Sequence, residues 1–161
     1  MTFRKIETLV RDYDNTDELS ESYKMLITKA KDALERAYVP YSKFHVGAAV
    51  LLENGEIITA TNQENAAYPS GLCAERVAIF YANSLYPNVA VSAIAVTAAP
   101  EMKQISQPVP PCGGCRQVLL ETETRFQKPI TIILAGEHKI SVLESAKSLL
   151  PMHFDESFLD S

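Results

Sequence analysis

Three cysteines and one glutamate are the residues of this chain best suited to chemistry. Cys73 stands two positions before Glu75 in "SGLCAERVAIFYA", and Cys112 and Cys115 form a C-x-x-C pair in "PVPPCGGCRQVLLETE". The N-terminal "MTFRKIETLVRDYDNTDELSE" mixes charge and apolar residues too closely to hold the apolar core of an export signal. An odd number of thiols in such a chain reads as metal ligands or reactive thiols before it reads as disulfides. The C-x-x-C pair alone leaves three readings open: a redox dithiol, half of a structural zinc site, or part of a catalytic one. Cys73 narrows them. A structural site needs a fourth ligand, and the only histidines, His45, His138 and His153, stand in no finger-like spacing with the cysteines. Three protein ligands leave the fourth position to water, which is how a catalytic zinc site differs from a closed structural one.

Both cysteine clusters stand where a loop gives way to an amphipathic run, so each is expected to open a helix. The free N–H groups and dipole of a helix N-terminus favour the negative charge of thiolates. Arg76, after Glu75, and Arg116, after Cys115, are expected to support the sulfurs by hydrogen bonds.

The elements that must carry these groups follow from periodicity. Leu19, Tyr23, Leu26, Ile27, Ala30, Leu34 and Ala37 make a helical stripe, with Asn15 and Glu18 spaced as a capping box and Pro40 as the stop. "HVGAAVLLENGEIITATN" reads as two strands joined at Asn54-Gly55, a hairpin signal. "AVSAIAVTAA" and "PITIILAG" read as central strands, "HKISVLE" as an edge strand, and "SAKSLLPMHF" as helical up to Pro151. Residues 1–12 fit neither period, and are expected as an extra strand or a frayed arm. The order implies an α/β fold, with helices on both faces of one sheet. Residues 1–161 are expected as a single domain, with 1–15 an N-terminal extension.

Composition excludes several function classes. Hydrophobic residues at 47% and charged residues at 22% describe a globular chain, and a net charge of -5 disfavours a polynucleotide substrate. The longest apolar run, "VGAAVLL", is far short of the roughly 20 residues that span a bilayer. A cytoplasmic protein without a membrane partner is expected.

With the segments "AYVPYSKFHVGAAV", "TNQENAAYPSGLCAERVAI", "PPCGGCRQVL" and "LLPMHF" in view, the chain resembles the cytidine deaminase family in its homotetrameric three-cysteine form. The likeness runs from about residue 20 to 154. It implies a three-layer α-β-α sandwich around one mixed β-sheet, and one zinc ion per chain on Cys73, Cys112 and Cys115. It makes Glu75 the proton shuttle, first base and then acid, as water adds at C4 of the cytosine ring and ammonia leaves. It also implies that Asn62 and Glu64, an N-x-E motif, bind the ribose hydroxyls, that Phe44 contacts the ring, and that backbone groups around Ala74 hold the pyrimidine O2. Tyr68 and Phe154 would be contributed to the pockets of neighbouring subunits. Free cytidine and deoxycytidine are the implied substrates, in pyrimidine salvage, with no nucleic acid partner.

Two departures stand out: the arm of residues 1–15 is longer than compact members need, and His45 stands where many members have proline. Taken alone, Phe44, Tyr68 and Phe154 are ordinary core or interface aromatics, and Asn62 and Glu64 a turn and a solvated face. A related family that deaminates blasticidin S shares C-A-E and C-x-x-C; the N-x-E motif here favours the ordinary nucleoside. The competing readings are a deaminase of a modified nucleoside, antibiotic or nucleic-acid cytosine, and a zinc-stabilised binding module, which leaves Glu75 and an open metal position without a purpose.

Overall fold

Apolar residues at alternate positions of a strand face opposite sides of a sheet, and here the two sides receive different helices. The computed structural model describes residues 1–101, 103 and 105–159. The strands are β1 (Arg11–Tyr13), β2 (Phe44–Leu52), β3 (Ile57–Thr61), β4 (Val91–Pro100), β5 (Thr131–Ala135) and β6 (Ile140–Leu143). The helices are α1 (Glu21–Ala33), α2 (Ala74–Leu85) and α3 (Gly113–Phe126). One sheet runs in the order β1-β6-β5-β4-β2-β3, with β4 and β5 parallel and the other neighbours antiparallel.

Ile94 and Val96 of β4 pack with Val50, Ile132, Ala78 and Ile79 on the α2 and α3 side, while Ala93 and Ala95 pack with Ala49, Ile133, Leu26 and Ala30 on the α1 side. The fold is thus a three-layer α/β sandwich around a mixed sheet. The alanine-lined side lets α1 lie close. A Cβ on Gly47 would stand 2.0 Å from the carbonyl oxygen of Ala30, so only glycine fits beneath the helix. Gly55, at φ 87°, takes the left-handed position of the Asn54-Gly55 turn and closes the β2–β3 hairpin. No helix among the described residues is long and apolar enough to cross a membrane.

Several local expectations are corrected. Ser20, not Asn15, caps α1, accepting from Tyr23 N; the Asn15 side chain closes a turn with Asp17 N at 2.8 Å. The helix gives way at Ala33 to a 3-10 turn, Leu34–Arg36, well before Pro40. β6 is not an edge, because β1 pairs outside it through Arg11↔Val142 and Tyr13↔Ile140. "SAKSLL" forms a 3-10 turn, Ala146–Leu149, capped by the Ser145 hydroxyl, rather than a full helix.

Candidate metal centre and binding cleft

Cys73 is the N-cap residue of α2 and Cys112 that of α3, so the sheet brings two helix N-termini to one point. Neither cysteine caps its helix through its side chain. The helical hydrogen bonds begin at Val77 N to Cys73 O (3.1 Å) and Arg116 N to Cys112 O (3.0 Å). The N–H groups ahead of them have no helical carbonyl, and leave the positive end of each dipole beside the sulfurs.

The three sulfurs lie within 4.8 Å of one another, with Cys73 to Cys112 at 3.8 Å and Cys112 to Cys115 at 3.5 Å. Zinc–sulfur bonds of about 2.3 Å in tetrahedral geometry place sulfurs about 3.8 Å apart, and the two separations from Cys112 lie close to that. All three thiols are free, at separations well beyond a disulfide bond. Cys115 is buried, Cys73 half-buried and Cys112 exposed, so the cluster has a closed side and an open one.

Charge is distributed unevenly over it. A hydrogen bond from Cys115 draws the Cys73 thiol down to about 5, and the Arg76 guanidinium, 3.6 Å from the sulfur, adds to this. Cys115, giving that hydrogen bond and deprived of water, is held far above the ordinary thiol range. The surroundings of Cys73 thus favour its charged form. Glu75 is only 5% exposed. Burial raises its carboxyl pKa and the Cys73 charge raises it further, against hydrogen bonds from its own N–H and from Cys115. Such a carboxyl holds a proton more readily than a surface one, which is what a group that both takes and returns a proton requires.

Beside Cys73 opens a cavity of about 560 Å³, lined by Tyr41 and Ser42 ahead of β2, by Asn62, Glu64 and Tyr68, and by Arg76. Its size suits a small-molecule ligand. The Asn62 amide is spent partly on the fold, accepting from Val46 N and donating to Phe44 O, both at 2.8 Å. One N–H and one lone pair remain, in a fixed orientation. Glu64 accepts from Tyr41 N at 2.9 Å and Ser42 N at 3.2 Å through a single oxygen. Hydrogen bonding from Ser42 leads the effects that lower its pKa, so it stays ionised at neutral pH. Tyr68, 75% exposed, meets Tyr41 edge to face at 6.0 Å.

The remaining expected site residues lie outside this cavity's lining. Phe44 is half-buried at the start of β2, and Ala74 is fully buried in the first turn of α2. Phe154 is 58% exposed, stacked on Phe158 at 5.7 Å, with its carbonyl accepting from Gln117. Arg116 turns to carbonyls, Pro111 O at 2.8 Å and Leu149 O at 3.1 Å, with no sulfur contact among the described residues. Tyr41, Ser42 and Leu72 are wall residues that sequence reasoning did not single out. The signal for the first two was the Glu64 carboxylate, which needs donors and finds them in the backbone after Pro40.

The model of the cytidine and deoxycytidylate deaminase zinc-binding region matches residues 20–128. The chain belongs to this family. The cytidine deaminase of Halalkalibacterium halodurans is 48% identical over 99 residues, which are 60% of this chain and 69% of that one. That of Sporosarcina psychrophila is 51% identical over 96 residues, 60% of this chain and 66% of that one. Among solved structures, the cytidine deaminase of Burkholderia pseudomallei superposes with a TM-score of 0.70 at 38% identity, covering 82% of this chain and 98% of that one. The one from Mycobacterium tuberculosis gives 0.66 at 32%, covering 84% and 99%. The span matched to the deaminase family holds Glu75 and all three cysteines; the N-terminal arm and Phe154 lie outside it.

Proposed function

We propose that this chain hydrolyses free cytidine and deoxycytidine to uridine and deoxyuridine with release of ammonia, using one zinc ion per chain, in the pyrimidine salvage of the cytoplasm. The observation that carries this reading is the trio of sulfurs at tetrahedral spacing with a buried carboxyl, Glu75, two residues from one of them. The relatives named cytidine deaminases support it. Cys73, Cys112 and Cys115 would hold the ion, which when bound supplies a Lewis acid and lowers the pKa of a water at its open position.

The steps assigned to the chain belong to Glu75. It takes a proton from the attacking water as the oxygen bonds to C4, and gives that proton to N3. It then takes the proton of the new hydroxyl and passes it to the amine, which leaves as ammonia while the C4 carbonyl forms. Asn62 and Glu64 bind the ribose hydroxyls, Phe44 contacts the ring and the backbone at Ala74 receives O2. Arg76 offsets the cluster's negative charge at Cys73.

The pocket is completed by other copies in a homotetramer, with Tyr68 and Phe154 reaching neighbouring sites. The outer side of α2 supports this: Phe80, Tyr81 and Leu85 are exposed there. Arg76 Nε and Asn83 Oδ1 are buried without a hydrogen-bond partner among the described residues. Both groups are already closed off within the single chain, so the exposed Phe80, Tyr81 and Leu85 carry the case for a partner surface. Light scattering on the active protein should give a tetramer; a fully active monomer would overturn the assembly.

The substrate class has its own test. A 5′-phosphate would bring up to two negative charges towards an ionised Glu64 and a thiolate cluster of net charge −1, so cytidine should exceed its 5′-monophosphate in kcat/KM by roughly tenfold or more at low salt. A ratio near one would remove the free-nucleoside assignment.

A further inference from the structure

The N-terminal arm precedes the span matched to the family, yet it is tied to the body at several points. β1 adds a strand outside β6, and Asp12 accepts from Ser141 Oγ at 2.5 Å and pairs with Lys139 at 3.0 Å. Thr8 Oγ1 donates to Ser148 O at 3.0 Å. Ser148 belongs to the 3-10 turn Ala146–Leu149, and the next carbonyl, Leu149 O, is the one that accepts from Arg116. The same guanidinium holds Pro111 O, the carbonyl directly before Cys112. The other end of the turn is fixed by the buried Glu123 carboxylate, which accepts from Ala146 N at 2.7 Å, Ser145 Oγ at 2.6 Å and Ile130 N at 3.0 Å.

The loop leading to Cys112 is strapped at its start, where Glu137 N and His138 N reach Ile105 O and Ser106 O at 2.8 and 3.4 Å. Between arm and loop lies a second cavity of about 440 Å³, with Thr8 and Val10 on one wall and Pro108 and Pro110 on another. Among the described residues no hydrogen bond joins the arm to the loop directly. Its influence has to travel through the turn.

We propose that the N-terminal arm positions the Cys112 end of the metal centre, with Thr8 as the positioning residue: Thr8 fixes the Ser148 carbonyl, the turn fixes Leu149 O, and Arg116 transfers that placement to Pro111 and Cys112. Losing residues 2–10 leaves β1, the rest of the sheet, α2 and α3 in place, but loosens the first turn of α3. The proposal rests on the zinc reading only where zinc is the readout.

The test removes residues 2–10 and, separately, replaces Thr8 by valine, which keeps the shape and loses the donor; Thr8→Ser restores it. Amide hydrogen exchange is followed in metal-free protein over residues 116–120, whose N–H groups close the first turns of α3, and 146–150, with 44–52 as the internal reference. Exchange in both segments should quicken about fivefold in the deletion and in Thr8→Val, the effect of one neutral hydrogen bond, and stay normal in Thr8→Ser. Zinc release to a chromogenic chelator should quicken in the same two variants. Faster exchange confined to 139–144, with 116–120 unchanged, would overturn the positioning role. Wild-type protein that takes up no zinc would overturn the metal assignment, and the exchange data would still decide the arm.

Discussion

Replacing Glu75 by glutamine is expected to leave the fold and the metal content unchanged and to lower kcat by about 10² to 10⁴, the usual contribution of a positioned acid–base group. The side chains match in size, which matters because the site is closed around this residue: Glu75 is buried in the first turn of α2, next to the fully buried Ala74. The burial that raises the pKa of the carboxyl also makes a neutral amide easy to accommodate. The amide cannot take a proton from water or return one to N3 or the leaving amine, so both halves of the reaction suffer. Zinc analysis and circular dichroism on the variant separate loss of chemistry from loss of structure. Near-normal turnover in zinc-loaded protein would show that another group carries the protons.

Much of the site was legible because its residues are tied to local signals. Cys73 and Cys112 stand at the junction of a loop and an amphipathic run, and that junction is what makes each an N-cap. Ile94 and Val96 alternate with Ala93 and Ala95, enough to foresee a strand covered on two faces. The start of α1 was misread because Asn15 and Glu18 have capping-box spacing while Ser20, five residues on, wins the cap; two competing side-chain caps look alike without the helix between them.

Other features were beyond local reading. That β6 is not an edge depends on residues 11–13 meeting 140–142, a pairing at long sequence separation that no window of the sequence contains. Arg116 follows a ligand in sequence, but the helix turns its guanidinium back to Pro111 O and across to Leu149 O instead of to sulfur. Asn62 was read for its hydrogen-bonding capacity towards a ligand; half of that capacity holds β2 through Phe44 and Val46. That double use makes Asn62 a residue whose loss would disturb the cavity wall as well as any contact it makes.

Removing the metal should have the largest effect of all. Three sulfurs gathered at two helix N-termini serve no purpose in disulfide bonding, and the surroundings of Cys73 favour its charged form. Without an ion the proposed reaction has no activated water. The decisive measurement is zinc content and cytidine turnover in the same sample, before chelation, after it and after zinc is restored. The account predicts one zinc per chain, loss of essentially all turnover on removal, and recovery in proportion to zinc returned. Full turnover in the metal-free protein, or an active protein that contains no zinc as purified, would contradict it.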